Sequence, residues 1–289
     1  MDYSEPRNHM RAILAGTACL SPASVYDPLS ARVAEAAGYQ LGMLAGSVAS
    51  NTTLAAPDLI VLTLTEFADQ IRRIMRASSL SLLVDADHGY GNALNCMRTV
   101  EEVEHAGASA LSIEDTALPI PFGRADGADQ MISTDEMVGK LRAAVAARRD
   151  ASLVILGRTS ALRAAGGGLD EAVKRAKAYA TTGVDGLFVV GLETLDQIAA
   201  IHKAIDLPIV IGTAPASLKR EDLAARGARI LLQGHQPIAA AVKALQETYA
   251  HLYSGGAPAD LRPRIASADE MDRLTGGDRY KQWLADYMR

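Results

Sequence analysis

Four acidic residues are placed where they could do chemistry together. Asp85 and Asp87 flank Ala86 at the end of a short apolar run, Glu114 closes the next such run, and Asp58 lies in a loop nearby. Alternate residues of an extended strand share a face, so continued strand geometry predicts that Asp85 and Asp87 point the same way. Carboxylates crowded into one pocket repel unless protons or a cation neutralise them. Ligand sets made only of oxygen favour Mg²⁺ or Mn²⁺ over zinc, and Mg²⁺ keeps several waters beside one or two direct carboxylates. The expected arrangement therefore has Asp85 as the direct ligand and Asp58, Asp87 and Glu114 as acceptors for metal-bound water. Read singly, each acid could be a helix cap or the partner of an Arg or Lys. Four together point to an ion.

Other side chains fit around that centre. Arg158 directly follows the fifth apolar run, and its planar guanidinium can grip a carboxylate through two N–H groups. The structural alternative is a salt bridge with Glu114 or Asp115. Ser47, within Gly46-Ser47-Val48, offers a hydroxyl beside backbone N–H groups to an anion, although serine is commonplace in turns. His235 follows Gly234 after the eighth run and could donate a proton or anchor substrate; a lone histidine is as often structural. Tyr26 follows the first run and joins Gly46, Ser47, Arg158 and His235 as a substrate-binding candidate. His88 is expected to shape its loop and Tyr90 to cap the pocket. His9, His105, His202 and His251 fall on predicted helices or termini and are read as structural.

The elements that must position these groups follow from periodicity. Apolar runs at 18–24, 41–45, 80–84, 110–113, 153–156, 187–190, 209–211 and 230–232 are too short for helices and continuous rather than alternating. That is the pattern of strands buried on both faces of a parallel sheet. Between them, Phe67, Ile71 and Ile74, then Cys96, Val100 and Val103, then Ile198, Ile201 and Ile205 recur at helical spacing. Asp27-Pro28 reads as a helix start, Ser133 to Glu136 as a capping box, and Gly38, Gly107, Gly183 and Gly227 as helix stops. Eight strand–helix units predict a (β/α)8 TIM barrel, whose catalytic groups gather at the carboxyl ends of the strands. An open doubly wound sheet would need a Gly-rich loop after the first strand, where the chain reads Ser24-Val25-Tyr26-Asp27-Pro28.

Bulk properties agree. A chain of 289 residues suits one large barrel domain. The net charge of −5 and the lack of any basic run argue against a nucleic-acid partner. Two cysteines, Cys19 and Cys96, make neither a disulfide framework nor a Cys-x-x-Cys metal site. No apolar run approaches the ~18 residues of a membrane span, so a cytoplasmic protein with no membrane partner is expected. Residues 254–263 are rich in Gly and Pro and lead into a C-terminal helical arm, about 254–289, that carries Tyr280, Trp283 and Tyr287. One barrel need not bury these aromatics, so the arm is expected to pack on another subunit.

At the residues singled out, the chain resembles the isocitrate lyase/phosphoenolpyruvate mutase superfamily, and within it the oxaloacetate decarboxylase family. The matching stretches are 24–32, 46–50 and 56–58, then Asp85-Ala86-Asp87-His88-Gly89-Tyr90-Gly91-Asn92, Ile113-Glu114-Asp115-Thr116, Leu118-Pro119, Phe122-Gly123-Arg124, Arg158-Thr159 and Gly234-His235. The resemblance implies a barrel, a Mg²⁺ site on the acids named above, a small 2-oxo diacid substrate and a homotetramer that swaps its last helices between neighbours. Lyases of the superfamily carry a Lys-Lys/Arg-Cys-Gly-His loop after the fourth strand. Here residues 116–124 hold no cysteine, nor the Lys and Asn of the mutase and phosphonopyruvate hydrolase branch. The implied activity is Mg-dependent decarboxylation of oxaloacetate to pyruvate and CO₂ through a metal-stabilised enolate. The alternatives are carbon–carbon lysis of a substituted malate, as in methylisocitrate lyase, phosphonopyruvate hydrolysis, or a non-catalytic barrel that binds 2-oxo acids. Two departures bear on specificity. Relatives tend to read Arg-Thr-Asn-Ala-Glu after the fifth strand and to place a Tyr after the seventh, where this chain has Arg158-Thr159-Ser160-Ala161-Leu162, then Gly166-Gly167-Gly168, and Gly212-Thr213-Ala214-Pro215.

Overall fold

Each apolar run becomes a strand in the computed structural model, which describes residues 2–123 and 130–289. The strands β1 (Ala23–Ser24), β2 (Leu41–Leu44), β3 (Ser81–Asp85), β4 (Ala110–Glu114), β5 (Val154–Thr159), β6 (Gly186–Val189), β7 (Ile209–Ile211) and β8 (Ala228–Leu231) pair in parallel in chain order. The first run is used differently from the others. Only Ala23 and Ser24 pair with β2, whereas Leu20 pairs with Ile230. The Leu20 N–H donates to the Arg229 carbonyl and the Leu231 N–H to the Leu20 carbonyl, both at 2.9 Å. This seam closes the barrel, and the stagger that closure imposes splits the run between its two neighbours.

Helical spacing translates into buried faces. Phe67, Ile71 and Ile74 of α4 (Leu64–Ala77) are buried, as are Cys96, Val100 and Val103 of α5 (Ala93–Ala106). Ile198 and Ile201 of α8 (Leu195–Ala204) are buried too, with Ile205 just past its end. Asp27 caps α2 (Pro28–Ala36) by accepting from the Ser30 N–H at 2.6 Å. The expected capping box at α6 (Thr134–Ala147) is half present: Ser133 accepts from the Glu136 N–H, but the return bond is absent. Gly38, Gly107, Gly183 and Gly227 have φ from 89° to 102°, the left-handed conformation that ends a helix.

The barrel interior is filled by Met43, Leu83, Leu156, Phe188, Val210 and Ile230, and by Met10, Ile13 and Leu14 of α1 (Ser4–Ala15). That helix closes one end of the barrel. Arg7 donates to the Ala108 carbonyl and Arg11 to that of Ser152, each at 3.0 Å and each just before a strand begins. With the amino ends of the strands plugged, the carboxyl ends are left for chemistry. The C-terminal helices behave otherwise. None of the residues of α10 (Gln236–Tyr253), α11 (Ala268–Thr275) or α12 (Gly277–Tyr287) is buried. The arm touches the barrel where Arg32 of α2 donates to the Leu274 carbonyl at 3.0 Å. Among the described residues no helix is long and apolar enough to cross a membrane.

Candidate active site

A cavity of about 370 Å³ opens at the carboxyl ends of the strands. Asp58, Asp85, Asp87, Glu114, Arg158, Ser47 and His235 all line it, with Met43 and Phe188 at its floor. Parallel pairing sets Glu114 beside Arg158 and Asp85 beside Ser112. The Ser112 hydroxyl donates to Asp85 Oδ1 at 3.1 Å. One Arg158 nitrogen, Nη1, binds Asp85 Oδ2, and the other, Nη2, binds Glu114 Oε2 at 2.9 Å. Arg158 also lies over the Phe188 ring, 5.2 Å from its centroid. The alternative that Arg158 pairs with Asp115 is not what forms. Asp115, fully buried, accepts instead from Arg175 Nη1 at 3.1 Å, the Tyr179 hydroxyl at 2.8 Å and the Thr159 hydroxyl at 2.7 Å.

Asp87 reaches the cavity by another route than strand alternation. The ladder runs one residue past β3, where the Ala86 N–H donates to the Ser112 carbonyl. The chain then turns: Asp87 has φ 46° and the Gly89 N–H donates back to the Ala86 carbonyl at 2.8 Å. The Asp87 carbonyl accepts from the Glu114 N–H at 2.8 Å, which ties the turn to β4. Its carboxylate lies so close to Gly46 that a Cβ at that position would stand 2.3 Å from Oδ1. Gly46 therefore serves the site by having no side chain. It also starts α3 (Gly46–Leu54), whose first-turn N–H groups have no acceptor inside the helix and present a ready anion site beside Ser47.

The charges are unbalanced. Burial pushes the Asp87 carboxyl well above the usual range, reinforced by Asp85, Glu114 and Asp58 and opposed by Arg158. Burial and then Asp85 raise Asp58 likewise, against Arg158 and His235. Arg158 leaves three of the four carboxylate charges unopposed, and a divalent cation would neutralise two of them. Among the described residues no three His, Cys, Asp or Glu side chains are grouped to hold an ion by themselves. Carboxylate oxygens alone are the donors that a hydrated Mg²⁺ or Mn²⁺ takes, rather than those of a zinc site. The residues present thus fit Mg²⁺ or Mn²⁺.

His235 lies four residues beyond β8, at the start of α10. Its Nδ1 and the Ser24 hydroxyl are 2.9 Å apart, which leaves Nε2 for the cavity. Burial holds its pKa below the ordinary value, with Asp85 and Asp58 pulling the other way. Two expectations are corrected. Tyr26 does not line this cavity; it packs against the barrel-interior cluster, and its carbonyl accepts from Gln70 at 2.6 Å. Tyr90 does not line the pocket either: its backbone is left-handed at φ 57°, and it packs against the core with its ring 6.2 Å from that of Phe67. His88 is buried beside it, its pKa pushed down to about 4 by burial, as suits a loop-shaping residue. Arg163, Thr116 and Gln130 line the cavity without having been singled out beforehand. The first sits in a loop with no recognisable spacing, the others in the segment after β4. Arg124 lies outside the described residues.

Known proteins share this architecture and sequence. The sequence profile of phosphoenolpyruvate phosphomutase matches residues 10–253. An oxaloacetate decarboxylase of Rhodopseudomonas palustris strain BisB5 is 52% identical over 276 residues, 95% of this chain and 94% of that protein. Another, from Bradyrhizobium diazoefficiens, is 50% identical over 95% of this chain and 94% of its own length. Among solved structures, a phosphoenolpyruvate phosphomutase from Streptomyces platensis subsp. rosaceus superposes with a TM-score of 0.89 at 29% identity, covering 98% of this chain and 99% of that one. A phosphonopyruvate hydrolase in complex with oxalate and Mg²⁺ gives a TM-score of 0.85 at 32% identity over 98% and 99% of the two chains. A profile that spans the barrel and relatives matching one residue in two along nearly the full length lead to one assignment: this chain belongs to the phosphoenolpyruvate phosphomutase family.

Proposed function

We propose that the protein decarboxylates oxaloacetate, releasing CO₂ and pyruvate, with Mg²⁺ in the carboxylate cluster. The observation that carries this reading is the set of four carboxylates lining one cavity with Arg158 paired to two of them, in a chain half identical to proteins named oxaloacetate decarboxylase. Asp85 would hold the ion directly, with Asp58, Asp87 and Glu114 at one remove. The ion supplies Lewis acidity toward the 2-oxo oxygen, worth several kcal/mol of transition-state stabilisation, and each ~1.4 kcal/mol is tenfold in rate.

The chain's own residues do the rest. Arg158 and the Ser47 turn hold carboxylate oxygens at the metal end. Breaking the C3–C4 bond releases CO₂ and sends its electron pair through C3 to the 2-oxo oxygen, leaving the enolate of pyruvate. His235, or a water it positions, then delivers a proton to C3. When the Ser24 hydroxyl donates to Nδ1, the neutral imidazole presents Nε2–H to the cavity. No general base is needed. Carbon–carbon lysis of a substituted malate, which in this superfamily uses a cysteine, has no such group here: Cys19 and Cys96 are buried away from the cavity, their thiols pushed up to about 11.

Oligomer and location belong to the same reading. The exposed faces of α10 (Val242, Leu245, Tyr249) and α12 (Tyr280, Trp283, Leu284) pack on neighbouring subunits of a cytoplasmic homotetramer.

The test follows oxaloacetate by ¹H NMR with enzyme and Mg²⁺, subtracting spontaneous metal-promoted decay. Pyruvate should form in the presence of the wild type, and Asp85→Asn should lower kcat/KM by at least about 1,000-fold. Turnover of oxaloacetate by Asp85→Asn at the rate of the Mg²⁺-loaded wild type would end the proposal.

A further inference from the structure

Ser24 and His235 face each other across the seam where the barrel closes. Ser24 ends β1, and His235 lies four residues beyond β8. The backbone ladder of the seam is made at Leu20, so it stops short of both residues. Ser24 is nevertheless held firmly. It pairs with Met43 of β2, and the next N–H, that of Val25, donates to the Met43 carbonyl at 2.9 Å. His235 has no such support. After the Leu232 N–H donates to the Ile211 carbonyl the chain leaves the sheet, turns at Gly234 with φ 82°, and enters α10 at His235. A residue carried on a turn keeps its side-chain torsions free unless another group fixes them. Among the described residues the hydrogen-bond partner of the imidazole is the Ser24 hydroxyl, 2.9 Å from Nδ1.

The direction of that bond follows from what each group can give. A hydroxyl has one hydrogen to place, and Ser24 is buried, so the hydrogen needs an acceptor. Among the described residues Nδ1 is that acceptor. A ring protonated at Nδ1 would donate to Oγ instead and leave the hydroxyl hydrogen without a partner. Burial disfavours the doubly protonated ring as well. What remains is the neutral ring with its proton on Nε2, the nitrogen left for the cavity. We propose that Ser24 is a positioning residue, which by donating to Nδ1 fixes both the rotation and the tautomer of His235, so that an N–H faces the substrate.

Both alternatives to this arrangement disarm the residue. The other tautomer would present a bare nitrogen to the cavity, and a ring turned over would present a carbon; neither can donate. Ser24 itself does not line the cavity. Removal of its hydroxyl should therefore act through His235 alone, lowering kcat and sparing KM. That kinetic consequence rests on the decarboxylase reading, whereas the state of the ring does not.

Two readouts test the assignment. With ¹⁵N in the six histidines, long-range ¹H–¹⁵N correlation reads the tautomer of His235, whose signals are assigned by their loss in His235→Ala. Expected are a proton on Nε2 and a bare Nδ1 in the wild type, an Nδ1 resonance displaced in Ser24→Ala, and its return in Ser24→Thr. Kinetics with oxaloacetate and Mg²⁺ supply the second readout. Ser24→Ala should lower kcat about 10-fold with KM within about two-fold of the wild type, and Ser24→Thr should restore kcat. Added to His235→Ala, Ser24→Ala should change kcat by less than about two-fold, because the group it acts through is gone. A proton on Nδ1 in the wild type would overturn the inference. So would an Nδ1 resonance or a kcat that ignores Ser24→Ala, or a full loss that persists in the His235→Ala background. A wild type that forms no pyruvate would count against the decarboxylase reading alone, since the spectra still decide whether Ser24 sets the ring.

Discussion

His235 shows how much a single residue's role depends on its surroundings. Its position after Gly234 made it a candidate, but a lone histidine has no chemistry until its neighbours are known. The structure supplies them: the Ser24 hydroxyl on Nδ1, a cavity for Nε2, and burial that lowers the imidazole pKa. Asp87 makes the same point from the other side. Strand alternation correctly grouped it with Asp85, yet for the wrong geometric reason, because a left-handed turn and the missing Cβ of Gly46 bring it in. At this scale we expect His235→Asn to lower kcat about 100-fold, in keeping with loss of a positioned proton donor. Mg²⁺ affinity measured by calorimetry should stay within about two-fold of the wild type, because the carboxylates are left in place. A variant with undiminished kcat would remove His235 from the chemistry.

Strand ends are held in position by groups that never touch the cavity. Asp115, one residue beyond β4, accepts from Thr159 at the end of β5 and from Arg175 and Tyr179 of α7 (Leu169–Ala180), while Arg175 also donates to the Ile132 carbonyl at 2.9 Å. The Asp115 N–H donates to the Arg158 carbonyl at 3.2 Å and its carbonyl accepts from Ile132 at 2.8 Å. Two strands, a helix and the end of the loop after β4 thus meet at one buried carboxylate. Asp115→Ala should destabilise the fold by about 2–3 kcal/mol, since the buried Thr159 and Tyr179 hydroxyls lose their acceptor and Arg175 keeps only Glu171 as a carboxylate partner among the described residues. Urea denaturation checks this, and a loss below about 1 kcal/mol would show that the elements are held otherwise. None of this network was visible in spacing. Asp115, Arg175 and Tyr179 are 60 to 64 positions apart across the two links, and only the closing of the barrel brings them together.

Across the whole molecule, the barrel buries its helices on one side and leaves its last ones uncovered. An 18-residue helix, α10, with no buried residue is an unpartnered surface, and the Tyr280–Trp283 pair, with centroids 5.3 Å apart, adds a second. Exposed apolar area of this kind marks an interface. Light scattering after size exclusion should give a tetramer of the 30.5 kDa chain, and deletion of residues 254–289 should lower that mass. A monomeric full-length protein would refute the assembly.

The sequence by itself determined the barrel and its polarity. Eight continuous apolar runs with helical spacing between them permit few other folds, and the polar residues sit at one set of strand ends. It also marked Asp85, Asp58, Glu114, Arg158, Ser47 and His235, because each lies at the carboxyl end of an apolar run or in the segment that follows one. What only the tertiary structure decided is everything that depends on contacts between distant segments. These include the splitting of the first run at the seam, the turn that delivers Asp87, the exclusion of Tyr26 and Tyr90, the pairing of Arg158 with acids from two other strands, and the arrival of Arg163. The physical reason is that periodicity encodes which face of an element is buried, whereas loop conformation and ion pairing are set by backbone atoms and charges that meet only once the cylinder has closed.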